Sequence, residues 1–219
     1  MVVLQRQKQG FSLVEMVVVL GVMVMVMTLM FANFPKIKDQ IALTLATREL
    51  ALSTRKAQSY AIAVREFDPS FPVNLCNSSY DVSQGSVRFP PYGIAVAKQN
   101  DGNGNNKFTY SIFGDTNCNA FLSQFPVYQS ASEFVSSVKI QNGVQISDID
   151  GYIGNGSAIA LRYAQIIYQR PNPSVTLVGT TQAGGSTGTY SGRLEITLTS
   201  GSGAQQKIVV RPSGQISIE

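Results

Sequence analysis

From Phe11 to Phe34 the chain reads FSLVEMVVVLGVMVMVMTLMFANF, 24 residues in which Glu15 is the one charge. The Val/Met alternation at Val22–Met27 would suit a buried strand, but a strand of this length lies far beyond the usual range of about 3–10 residues. As a helix, at about 1.5 Å per residue, the run covers roughly 36 Å, enough for a bilayer core of about 30 Å. The pattern therefore predicts a membrane-spanning helix. No small-x-small pair closes it, because Met30-Phe31-Ala32 sets a large residue before any cut, so it does not read as a cleaved secretory signal.

After Pro35, a position suited to a kink or break, the pattern changes period. Lys36–Glu66 contains no Gly or Pro, and Leu43, Ala46, Leu50, Ala57, Ala61 and Val64 form an apolar stripe, with Arg48, Glu49, Arg55 and Lys56 elsewhere. This predicts an amphipathic second half of one long helix, its stripe packed on whatever follows. Beyond Asp68-Pro69 come short β-rich runs between turn residues. Candidate strands are Tyr92–Ala97, Lys107–Phe113, Phe134–Ile140, Val144–Ser147, Ala158–Tyr168, Val175–Val178, Arg193–Thr199, Gln206–Val210 and Gln215–Ile218. Gly179–Gly192 reads as a flexible hairpin loop. The order predicts an α+β fold: a long N-terminal helix packed on an antiparallel β-sheet or β-sandwich. Four segments follow: a basic leader at 1–10, the apolar helix at 11–34, its amphipathic continuation at 35–66 and a β-rich domain at 67–219.

Composition narrows the chemistry. The 219 residues include no His, which excludes Ser-His and Cys-His catalysis and HExxH metalloprotease chemistry. Two Cys cannot build a four-thiolate zinc or iron–sulfur site within one chain. The net charge of +4 invites a nucleic-acid or anionic-membrane reading. Its distribution weakens that reading. Residues 1–10 hold two cations, 35–66 hold six cations against three acids, and 67–219 hold nine of each.

Arg6 and Lys8 place the N-terminus on the cytoplasmic side. They precede Gly10-Phe11-Ser12-Leu13-Val14-Glu15, which resembles the processing site of the type IV pilin and type II secretion pseudopilin superfamily. The resemblance implies cleavage between Gly10 and Phe11 by prepilin peptidase, N-methylation of Phe11, and a mature chain that keeps its apolar helix. The missing side chain of Gly10 lets an enzyme approach the scissile backbone closely. Glu15, an ionisable group beside an apolar run, would set assembly register by neutralising the terminal ammonium of a neighbour's Phe11. The stretch from Thr47 to Ile62 resembles the amphipathic helix of H-type pseudopilins and FimT/FimU-like minor pilins. Tyr92-Gly93-Ile94, Phe113–Asn117 and the closing Ile208–Ile218 are similar to scattered points of the same group.

On this resemblance the chain is a structural filament subunit and not an enzyme, with no cofactor. Its partners are other pilin or pseudopilin subunits through their N-terminal helices, prepilin peptidase and the inner membrane. It starts as a single-pass inner-membrane protein and ends in an extracellular or periplasmic filament. Minor pilin is the first reading; major pilin, secretion pseudopilin and DNA-uptake receptor are the alternatives. Nucleic-acid binding has weak support. FimT-type DNA-binding pilins carry arginines in a closing G-R-x-R stretch, and here the matching positions are Gly214-Gln215-Ile216-Ser217.

Outside the cytoplasm, Cys76 and Cys118 would close a 43-residue loop as a disulfide, or stand as two independent thiols. Asp101, Asn103 and Asn105, like Asp115, Asn117 and Asn119, place oxygen ligands at alternating positions, as at the start of a calcium loop. Both segments lack the later bidentate Glu, and Asn and Gly equally make plain turns. Asp148-Ile149-Asp150 reads as solvated turn charges.

Overall fold

The computed structural model describes residues 11–63, 91–100, 105–114, 134–168, 175–181 and 186–219, with 32 and 33 by backbone alone. It has one helix, α1 (Leu13–Ile62), and ten strands: β1 (Tyr92–Ala97), β2 (Thr109–Gly114), β3 (Phe134–Lys139), β4 (Gln145–Tyr152) and β5 (Ile159–Tyr168). Then follow β6 (Val175–Thr181), β7 (Thr187–Thr189), β8 (Arg193–Thr199), β9 (Gln205–Val210) and β10 (Ile216–Ile218). The predicted α+β class holds. Pro35 does not end the helix and lies inside α1. The chain divides into two compact units, Met1–Lys38 and Asp39–Glu219.

In the second unit, α1 buries Ala42, Leu43, Ala46, Leu50, Ala57 and Ala61 in one core with both groups of strands. Five of the six residues of the predicted stripe are there; Val64 lies outside the described residues. The small Ala side chains let the helix backbone approach the sheet closely. Two hydroxyls on that face are satisfied within the helix: Thr47 donates to the Leu43 carbonyl and Thr54 to that of Leu50, both at 2.8 Å.

The sheet is antiparallel throughout and divides along β5. The first residues of β5 pair with β4, through Asp150↔Ala160, and the rest with β1, through Tyr92↔Tyr168 to Ala97↔Tyr163. One branch continues β1-β2-β3, with β6-β7 also attached to β5; the other continues β4-β8-β9-β10. At the fork Lys98, just past β1, pairs with Asp148 on β4 at 2.9 Å. Asp148 Oδ1 also accepts the Ile149 amide at 3.1 Å. Asp148 and Asp150 therefore correct the sequence reading: both are strand residues, not turn charges. A register shift between Ile146 and Asp148 re-aims the first of them.

Two positions need special backbone or space. Asn142 and Gly143 both have positive φ, 59° and 74°, and turn the chain tightly from β3 to β4. A Cβ on Gly151 would stand 2.5 Å from the Tyr190 ring, so the ring fills the space a side chain would need. The segment read as a flexible loop, Gly179–Gly192, contains β7, which pairs with β6 through Val178↔Thr189 to Thr180↔Thr187.

Candidate functional site

Functional candidates fall on α1. Its first turn is built by Ser12, whose Oγ accepts the Val14 amide at 3.3 Å while its carbonyl accepts the Met16 amide at 3.2 Å. Ser12 thus caps α1, with Glu15 three residues on, the spacing at which an acid favours a helix N-terminus. The Ser-x-x-Glu spacing in the sequence was the available signal for this cap. Glu15 accordingly has a local role in starting the helix besides any role between subunits.

From Phe11 to Phe31 every residue is exposed. Val, Leu and Met side chains cover all faces, and Phe11 itself is 79% exposed. The helix is long and apolar enough to cross a membrane, and none of its apolar window is buried in the protein. Thr28 hides its hydroxyl by donating to the Val24 carbonyl at 2.7 Å, which leaves the surface without an unsatisfied donor there. Nothing lies within 4 Å of where a Gly21 Cβ would be, so this glycine answers no packing need of its own chain. A surface of this kind has no water-compatible side. It can be covered only by lipid or by other apolar helices.

The basic residues singled out in the sequence, Arg48, Arg55 and Lys56, are all exposed on α1. Lys56 lies over the Tyr60 ring, 5.6 Å from its centre. The densest charge in the described residues is on β4, β8 and β9. Glu195, only 9% exposed in its side chain, accepts from Arg193 at 2.7 Å and from Lys207 at 3.3 Å. Burial pushes its carboxyl up, but those two hydrogen bonds outweigh burial and hold it below the ordinary carboxylate value. Arg193 also stacks 3.8 Å from the centre of the Tyr152 ring. Asp150, opposite Glu195 in the ladder, is pushed up by burial and then by the charges of Asp148 and Glu195.

Other sequence candidates are placed only in part. Asn105 is buried, and its Oδ1 accepts from Ser111 Oγ at 2.6 Å. Asp101, Asn103, Asp115, Asn117 and Asn119 lie outside the described residues, as do Cys76, Cys118 and Gly10. Among the described residues no group of three or more His, Cys, Asp or Glu is arranged to hold a metal ion.

Residues 5–31 match a family described as the prokaryotic N-terminal methylation motif. No curated protein and no solved structure matches the chain.

Proposed function

We propose, starting from a methylation motif that supports the type IV pilin and pseudopilin superfamily, that this chain is a structural subunit of a type IV pilus or pseudopilus. The motif indicates a structural subunit, assembling in general with other pilins after prepilin peptidase has acted, and not an enzyme family. The observation that carries the proposal is the motif running from ahead of α1 through a helical stretch whose apolar surface is exposed on every side. An ordinary membrane anchor needs the helix alone. A filament subunit needs a cut that leaves the helix attached, so that one surface serves first lipid and then neighbouring helices.

Processing falls between Gly10 and Phe11, followed by methylation of Phe11. The chain waits as a single-pass inner-membrane protein with its N-terminus in the cytoplasm, and the folded unit lies on the far side. Within the superfamily the minor, H-type or FimU-like subunit is favoured. The closing segment that resembles this group forms a tight β9–β10 hairpin in which Gly214 donates to the Arg211 carbonyl at 2.9 Å and Arg211 to that of Gln215 at 3.0 Å. Abundance in sheared filaments separates a minor from a major subunit.

The decisive experiment is intact-mass measurement of the chain from cells with and without prepilin peptidase. The expected mature species lacks residues 1–10 and carries one added methyl. Replacing Gly10 by a bulky residue should leave the full-length mass. A mature mass unaffected by either change would overturn the proposal.

A further inference from the structure

Asp39 opens the folded unit, and the chain runs back from it into the apolar stretch. Turns of the sheet gather at the same end. A Cβ on Gly201 would stand 3.7 Å from Asp39 Oδ2, which places the β8–β9 turn there. β4 starts beside that turn, with Gln145 opposite Thr199, and the Ile146 amide donates to the Lys107 carbonyl at 2.8 Å. Lys107 and Phe108 form the tip of a closed turn. Asn106 Oδ1 accepts the Phe108 amide at 2.8 Å, and the Asn106 carbonyl accepts that of Thr109 at 2.9 Å. Lys139 lies opposite Thr109 across the β2–β3 ladder.

This end is cationic and partly apolar. Lys107 and Lys139 are exposed, and neither has an ion pair among the described residues. Phe108 is 37% exposed, with the Lys107 amine 5.0 Å from its ring centre. Residues 141–145 and 200–204 carry no charge, and Asp39, half-buried, is the acid nearby. The chain itself brings a bilayer to this end. From Phe34, where the apolar run closes, to Asp39 the path is about 7.5 Å as helix and at most about 18 Å if fully extended. A headgroup layer is itself roughly 5–7 Å deep. The end that carries Asp39 therefore stays within reach of lipid headgroups whatever direction the chain takes.

We infer that this end of the folded unit rests on anionic lipid headgroups, with Lys107 and Lys139 at phosphates and the Phe108 ring at the interface. A lysine ammonium meets a phosphate as a point charge, and an aromatic ring suits the headgroup level. The inference rests on α1 spanning a bilayer, and not on cleavage at Gly10. At about 1 kcal/mol per lysine, two such contacts orient a unit already tethered at the surface and are too weak to hold one that is not.

The test uses the full chain reconstituted in vesicles of phosphatidylcholine alone, or of equal parts phosphatidylcholine and phosphatidylglycerol. Brief lysine acetylation followed by peptide mass analysis reads Lys107 and Lys139 as ratios to Lys56, which lies about 26 Å further along α1 than Asp39. With phosphatidylglycerol both ratios should fall about fivefold, and raised salt should restore them. Equal ratios in the two kinds of vesicle would overturn the inference. So would protection that rises with the protein-to-lipid ratio, which marks a contact between copies. Alkaline extraction of the same vesicles reports separately on the span. A chain released into solution would overturn the membrane reading together with the contact, whereas a retained chain without protection would overturn the contact alone.

Discussion

Residues 13–31 and 39–62 of α1 share a backbone conformation and differ in almost everything else. The first stretch carries Val, Leu and Met on every side and is exposed along its whole length. The second alternates faces sharply: Leu50 is 0% exposed, and Leu52, two residues on, is 62% exposed. Hydrophobicity alone therefore does not say where a residue goes. The first stretch is built for surroundings outside the protein, and the second for a sheet within it plus something outside.

The largest test of that contrast is to separate the two. A chain beginning at Asp39 keeps the whole core cluster, so it should fold and stay in the aqueous fraction after cell lysis, whereas the full chain sediments with membranes. Retention of the shortened chain in membranes would break the contrast. A circular dichroism spectrum without β signal would show that the second unit depends on the first.

The two leucines sharpen it. Leu50→Ala should cost about 2–5 kcal/mol of unfolding free energy, because it empties a fully buried site. Leu52→Ala should stay within about 0.5 kcal/mol, because its side chain already meets water. Chemical denaturation of the Asp39 chain measures both. Comparable losses would mean that the exposed row is covered within the monomer.

What the sequence made legible was whatever is local. The apolar run, the cleavage motif and the amphipathic stripe each need only a few neighbouring residues, and they were readable on sight. The bounds of β1 and β8 coincide with the short β-rich runs that predicted them. The misses depend on distant partners. Thr187–Thr189 lies among Gly, Ser and Thr and becomes a strand only because β6 offers it a ladder. Asp148 looks like a turn charge until Lys98, 50 positions away, is brought to 2.9 Å. Ser12 was the reverse case, a local capping signal overlooked because the residue was absorbed into a motif.

The charged face of β4 and β8 gives a smaller effect that depends on pH. Glu195 is held below its ordinary value, so its stabilising contribution is complete above the usual carboxylate range and disappears as pH falls through the folded value. Asp150 is shifted the other way: it costs stability at neutral pH, and protonation on acidification relieves that cost. Glu195→Gln should therefore lose about 1–2 kcal/mol at pH 7, and less in acid. Asp150→Asn should raise the thermal midpoint at pH 7 by up to about 2 °C, with the gain vanishing once the native carboxyl is protonated. Equal effects at both pH values would show that packing, not charge, governs this face.

The smallest effect concerns how α1 answers polar groups on the sheet beneath it. Tyr110 and Tyr168 are both almost wholly buried, at 1% and 3% exposed. Tyr110 meets Ser53 of α1 at 3.0 Å; burial pushes its hydroxyl up to about 12, even though the Ser53 bond pulls the other way. Burial also pushes the Tyr168 hydroxyl up, but that hydroxyl finds no hydrogen-bond partner among the described residues. Losing a satisfied bond strands the partner, whereas losing an unsatisfied group removes only a penalty. Tyr110→Phe should thus cost about 1 kcal/mol, because Ser53 is left buried without its partner. Tyr168→Phe should be neutral or stabilising by up to about 1 kcal/mol, measured by urea denaturation at pH 7. A destabilising Tyr168→Phe would mean that this hydroxyl is answered after all.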